Sequence, residues 1–136
     1  MSRYQIINPD SLGVPRGWNN GLLAATGGRL LFIAGQTARD DSGRVAETGF
    51  VEQFDRALGN ALEVLRAAGG SPDDVGRFTI YVTSLDEYRG SLKPLGEVYR
   101  RRMGRHYPAM AVVEVRGLVD PGAKVEIETT AVLGPE

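Results

Sequence analysis

Between Gly49 and Ala68 the chain repeats one apolar face: Phe50, Phe54, Ala57, Leu58, Ala61, Leu62 and Leu65 recur at spacings of three and four. That spacing belongs to an amphipathic helix with a single stripe to bury. Gly69-Gly70 ends it, and Ser71-Pro72-Asp73-Asp74 begins the next turn. A long one-sided helix must lie on a partner surface, and the flanking segments supply strands. Val75 to Thr83 alternates Phe78, Ile80 and Val82 with Thr79, Tyr81 and Thr83. Lys124 to Leu133 puts Val125, Ile127, Thr129 and Ala131 on one face, and Ala109 to Val115 alternates more loosely. Asp120-Pro121-Gly122 turns the chain between these two.

Upstream, Tyr4 to Ile7 is a short strand closed by Asn8-Pro9, and Asp10 to Asn20 reads as loop. Leu22 to Ala25 and Leu30 to Ala34 flank Gly27-Gly28 in a hairpin pattern. The unbroken apolar run Leu30-Leu31-Phe32-Ile33-Ala34 predicts burial on both faces. Asp40-Asp41-Ser42-Gly43 is a further turn, and Ser91 to Met103 predicts a second helix through Leu92, Leu95, Val98, Tyr99 and Met103. The order implies an α+β domain over residues 1–136, a single mixed β-sheet with both helices packed on one face. The other face would carry Val112, Val132 and Tyr81, interrupted by Glu114, Glu126 and Glu128. A half-apolar open face of this kind predicts a covering subunit.

Composition removes several chemistries. There is no cysteine, which excludes disulfides, zinc–thiolate sites and thiol nucleophiles. His106 is the only histidine, so no imidazole cluster can hold a metal; its structural reading is a polar corner residue between helix and strand. With 16 basic and 17 acidic residues the chain lacks the basic footprint of a general nucleic-acid binder. The densest basic stretch is Arg100, Arg101, Arg102, Arg105 and His106, at a helix end where cations favour the dipole. Met1 to Pro9 is polar, and no apolar run approaches the roughly 20 residues of a membrane span. A soluble, cytoplasmic protein is expected, with neither membrane nor nucleic-acid partner.

Few residues suggest chemistry by themselves. Glu126 and Glu128 share a strand face, and paired carboxylates do acid–base work when burial separates their pKa values; two solvated glutamates are the plainer reading. Neither Gly27-Gly28 nor Gly69-Gly70 stands in a phosphate-loop context. Trp18, beside Asn19 and Asn20, is either a packed anchor or a ligand platform.

Four ordered stretches carry more. They are Leu31-Phe32-Ile33-Ala34-Gly35-Gln36, then Gln53 through Gly69, then Thr79-Ile80-Tyr81-Val82, and last Tyr107-Pro108-Ala109-Met110 running into Val125-Glu126-Ile127-Glu128. In order and spacing they resemble the RidA (YjgF/YER057c/UK114) family from about residue 5 to residue 133. The resemblance implies a RidA/chorismate-mutase-like fold and a homotrimer whose sheets form a central β-barrel, with small-molecule pockets between subunits. It implies hydrolysis of reactive imines and enamines to ammonia and a 2-keto acid, a form of metabolite damage control, without metal or organic cofactor. An arginine holds the substrate carboxylate in such proteins, and a glutamate positions the water.

Carried over residue by residue, the water-positioning glutamate becomes Glu126, with one extra residue in the Asp120–Lys124 turn. The position of the carboxylate-binding arginine is Met110, which cannot make bidentate charge-assisted bonds. Ala34 stands for a serine, Trp18 for a pocket tyrosine, and Gly96 for an asparagine ahead of Tyr99. The expected site is then Glu126 as catalytic residue, Trp18, Tyr99 and Met110 as pocket walls, and the backbone N–H groups of Gly35 and Ala111 as donors. Met110 argues for a ligand of lower charge than an imino acid, although Arg16, Arg105 or Arg116 could enter from elsewhere. A non-catalytic ligand-binding or interaction module on the same scaffold is the alternative. Ribonuclease or translation-inhibitor activity is a third reading, opposed by the near-neutral charge and single histidine.

Overall fold

The computed structural model describes residues 4–136, so the first three residues of the polar opening stretch lie outside the described residues. In chain order the elements are β1 (Tyr4–Ile7), β2 (Gly21–Ala24), β3 (Arg29–Gln36), α1 (Phe50–Ala67), β4 (Val75–Val82), α2 (Leu85–Arg89), α3 (Leu92–Met103), β5 (Ala109–Glu114) and β6 (Val125–Leu133). The seven stripe residues of α1 are 0% to 4% exposed, so the periodicity reads the core directly. α1 stops on its glycine pair. Gly69 takes φ 87°, and the amides of Gly69 and Gly70 reach back to the carbonyls of Arg66 and Leu65, both at 2.9 Å. This reciprocal pattern closes a helix when its C′ residue is left-handed.

α1 lies on a four-stranded sheet in the order β3-β6-β4-β5. β4 and β5 are parallel and the other neighbours antiparallel, which makes the sheet mixed. Parallel neighbours need a crossover, and α2 and α3 provide it. Phe78, Ile80 and Val82 of β4 meet Val125, Ile127, Ala131 and Leu133 of β6 in the core beneath the helices. Trimming a buried leucine of α1 such as Leu58 to alanine would cost roughly 2–5 kcal/mol.

The structure corrects four expectations. β2 and β3 do not form a hairpin: β2 pairs with β1, Tyr4 opposite Ala24 and Ile7 opposite Gly21. The decisive contact is non-local. Tyr4 Oη donates to the carbonyl of Asp74 at 2.6 Å and accepts from the amide of Val132 at 3.1 Å, tying this separate two-stranded unit to the main sheet. Leu30-Leu31-Phe32-Ile33-Ala34 is not buried on both faces; Ile33 is 3% exposed, but Leu30 is 58% and Phe32 75% exposed. Val112 and Glu114 share parity with Met110, because β5 pairs Met110 with Phe78, Val112 with Ile80 and Glu114 with Val82, all core residues. The open face therefore carries Ala111 and Val113 instead, together with Tyr81, Glu126, Glu128 and Val132. Finally, α2 lay unseen within a supposed connection; the Ser84 side chain caps it by accepting from the Glu87 amide at 3.1 Å.

Two polar devices hold the layers in register. Gln53 is fully buried on α1, donates to the carbonyls of Glu47 (2.8 Å) and Gly122 (2.9 Å), and accepts from the Lys124 amide (2.8 Å). It thereby clamps the turn before β6. Asp55 of α1 takes Arg101 at 3.0 Å and Arg102 at 2.5 Å from α3. Gly59 makes the approach possible, since a Cβ there would lie 2.8 Å from Arg102 Nη1. Two members of the basic stretch are thus interhelical ties.

Candidate functional site

A cavity of about 520 Å³ opens between α3, β5 and the loop before β2. Its floor is shared with the core: Phe54, Ile80, Leu95 and Val112. Its walls are largely aromatic and thioether, from Trp18, Tyr88, Tyr99, Tyr107 and Met110, and Arg16 and Arg100 are also among the lining residues. No carboxylate or histidine is among the lining residues.

The loop that carries Arg16 and Trp18 contains little apolar material to pin it, so hydrogen bonds do the work. Asn19 donates from its backbone to the Pro108 carbonyl at 3.2 Å and from its side chain to the Tyr107 carbonyl at 2.6 Å. Asn8 in turn donates to Asn19 Oδ1 at 2.8 Å and accepts from the Asn20 amide at 2.7 Å. Trp18 Nε1 donates to Asn20 Oδ1 at 3.2 Å, which settles the indole in the loop that walls the cavity. The loop is therefore fastened to the residues immediately before β5, the strand that presents Met110.

Tyr99, also in the lining, stacks on Tyr107 with ring centroids 5.2 Å apart and planes 9° apart. Tyr99 Oη donates to the His106 carbonyl at 2.6 Å. Burial, with a smaller contribution from Tyr107, holds its phenol well above the ordinary tyrosine range, so it stays a neutral donor. His106 is structural: its Nε2 lies 2.6 Å from the Val75 carbonyl and its ring stacks on Tyr4. Gly96 also lines the cavity, and a Cβ built on it meets nothing within 4 Å.

Glu126 lies elsewhere. It is on the face of the sheet away from the helices, opposite Tyr81 in register. Gly35, in the irregularity between Ile33 and Gln36, lets the carboxylate come close: a Cβ there would fall 2.9 Å from Glu126 Cδ. Tyr81 donates to Glu128 Oε1 at 3.3 Å, and its phenol is pushed up by burial first and then by Glu128 and Glu126. Ala111 is exposed on that same side, paired in register with Thr79. The six residues expected at the site thus divide. Trp18, Tyr99 and Met110 share the cavity, Glu126 and Gly35 touch each other across the sheet, and Ala111 stands on the edge strand.

Tyr107 and Arg100 line the cavity without having been singled out for it. For Arg100 a signal existed: Leu92, Gly96, Tyr99 and Arg100 fall on one helical face by spacing, and all four line the cavity. Among the described residues no group of three or more His, Cys, Asp or Glu comes together as a metal site, and no helix is long and apolar enough to cross a membrane.

Comparison with known proteins fits this geometry into a lineage. Residues 17–133 match the family model described as Endoribonuclease L-PSP. The human 2-iminobutanoate/2-iminopropanoate deaminase is 31% identical over 108 residues, 79% of this chain and 75% of that one. A Yersinia pestis protein of the conserved Rid family superposes with TM-score 0.83 at 31% identity, covering 96% of this chain and 99% of the other. RidA from an Antarctic Psychrobacter superposes with TM-score 0.67 at 27% identity, covering 98% and 100%. With the mixed sheet, the two main helices and the matched span taken together, the chain belongs to the RidA/YjgF family.

Proposed function

We propose that this protein hydrolyses a small reactive imine or enamine in an oligomer, where the cavity of one copy is completed by the Glu126–Gly35 patch of another. The observation that carries the reading is that Trp18, Tyr99 and Met110, far apart in the chain, converge on one apolar cavity. The named deaminase activity of a 31%-identical relative supplies the reaction class. Because Glu126 and the cavity occupy opposite sides of one sheet, a single copy does not unite them. An assembly of three copies around a shared barrel is the arrangement proposed, and the exposed Leu30 and Phe32 give its contacts an apolar surface.

In this scheme Glu126 removes a proton from water as its oxygen adds to the imine carbon. The nitrogen gains protons as the C–N bond of the resulting carbinolamine breaks, and ammonia and a carbonyl compound leave. An enamine first takes a proton at carbon to become the imine. No organic cofactor is required by this balance.

The test is ammonia release from imines generated in situ. Glu126→Gln should lower the rate by about 100-fold or more, the scale of general-base catalysis. Mixed oligomers of Glu126→Gln with Trp18→Ala copies should recover part of the activity that neither variant has alone. An unchanged rate in Glu126→Gln would remove the mechanism.

A non-catalytic ligand-binding module is the second reading, favoured by the lack of any carboxylate or histidine in the cavity lining of one copy. Ligand binding without turnover in the wild type would select it. Ribonuclease action gains no support from the site, since His106 is committed to the Val75 carbonyl.

A further inference from the structure

Met110 and Val112 leave the β5 wall of the cavity uncharged, yet the cavity is not without cations. Arg16 on the pre-β2 loop and Arg100 on α3 both line it, and both are exposed. Among the described residues neither guanidinium has a carboxylate within salt-bridge distance, whereas Arg101 and Arg102 next along the helix are taken by Asp55. The cavity itself contributes no acid to oppose them. Two guanidinium-bearing residues lining one largely apolar cavity suit an organic anion, because each offers planar, charge-assisted donors matched to a carboxylate.

The approach of Arg16 is not left to a free loop. Asn19, three residues on, is bound through backbone and side chain to Pro108 and Tyr107, and Asn8 locks Asn19 from the far side. Arg100 is fixed by the helix, one residue after the stacked Tyr99. The two arginines therefore come from separately anchored elements and line one cavity.

The size and walls of that cavity define the rest of the ligand. Its volume of about 520 Å³ falls inside the ~300–1,000 Å³ range of clefts that enclose drug-sized molecules. Trp18, Tyr99 and Tyr107 supply aromatic faces, Met110 an adaptable filler, and Gly96 leaves open space where a side chain would intrude.

We infer that Arg16 and Arg100 together form a carboxylate-binding lip, and that the ligand is an anion with a bulky, preferably aromatic, apolar body, such as a 2-imino acid with an aryl side chain. The lip then supplies the charge selection, and the uncharged β5 wall faces the apolar body of the ligand. This ligand differs from the less charged one that Met110 suggests by itself. The inference rests on the proposed function only for the imine group; the anion, the lip and the aromatic body stand on the cavity itself.

Calorimetric titration tests the lip without turnover. Phenylpyruvate, a stable 2-oxo acid, is compared with pyruvate, which lacks the ring, and with phenylacetone, which lacks the carboxylate. The wild type should bind phenylpyruvate at least tenfold more tightly than either. Arg16→Gln and Arg100→Gln should each weaken phenylpyruvate by about tenfold or more, the scale of a lost charge-assisted bond, and leave phenylacetone unmoved. Since both side chains are exposed, the variants should keep the wild-type melting temperature. Equal affinity for phenylpyruvate and phenylacetone, or a double variant that binds phenylpyruvate as the wild type does, overturns the lip. Pyruvate binding as tightly as phenylpyruvate overturns the aromatic body. Ammonia release is followed separately on the same preparations: charge-dependent binding with no turnover leaves the lip standing and defeats only the hydrolysis reading.

Discussion

Tyr99 shows how a single side chain is turned from reagent to support. Its hydroxyl is occupied by the His106 carbonyl and its ring by Tyr107, and burial raises its pKa above the ordinary 10.0. The linkage has a definite sign. A phenol that keeps its proton in the folded chain while the unfolded chain releases it makes stability fall as pH rises above about 10. Denaturant melts of the wild type should therefore show a decline on the alkaline side that is shallower in Tyr99→Phe. At neutral pH the same variant should lose about 1 kcal/mol, the net worth of one hydrogen bond. A variant as pH-sensitive as the wild type would assign the alkaline decline to other groups, Tyr88 being a further, partly buried phenol with a raised pKa.

At the scale of elements, Gln53 ties α1 to the turn before β6 through two of its three hydrogen bonds. One amide satisfies two carbonyls and one backbone N–H around the turn that feeds β6. Replacing it with leucine keeps the bulk but strands those three groups, and a loss of about 3 kcal/mol follows at roughly 1 kcal/mol each. Hydrogen exchange should show amides around Lys124 opening sooner, while those of the β3–β6 pairing stay protected. The sequence made α1, β4 and β6 legible because burial of one face prints a period, 3.6 or 2, into the residues. It hid whatever long-range contact decided. Which strand β2 joins depends on Tyr4 reaching Asp74 and Val132, groups remote from it in the chain. Val112 faces the helices because β5 begins its parity at Ala109, and loose alternation could not fix that. Of the cavity lining, Trp18, Tyr99 and Met110 were named from motif, whereas Arg100 sat in a basic run whose neighbours do a different job.

The whole molecule presents a sheet that is finished on one side only. Leu30 and Phe32 stand exposed on β3, and Val113 is 40% exposed on β5. If copies cover this face, Phe32→Glu should convert the assembly to a folded monomer, read by light scattering with unchanged far-ultraviolet dichroism. A variant that remains assembled would place the contacts elsewhere. The cavity has a different consequence, one that concerns descent. Phe54, Ile80 and Leu95 serve at once as cavity floor and as core, so drift at these positions threatens the fold before it alters recognition. Arg16, Trp18 and Arg100 are exposed, and can be exchanged at small cost to stability. Relatives of this protein should therefore diverge in ligand preference through the loop and the outer helix face, keeping one floor beneath many mouths.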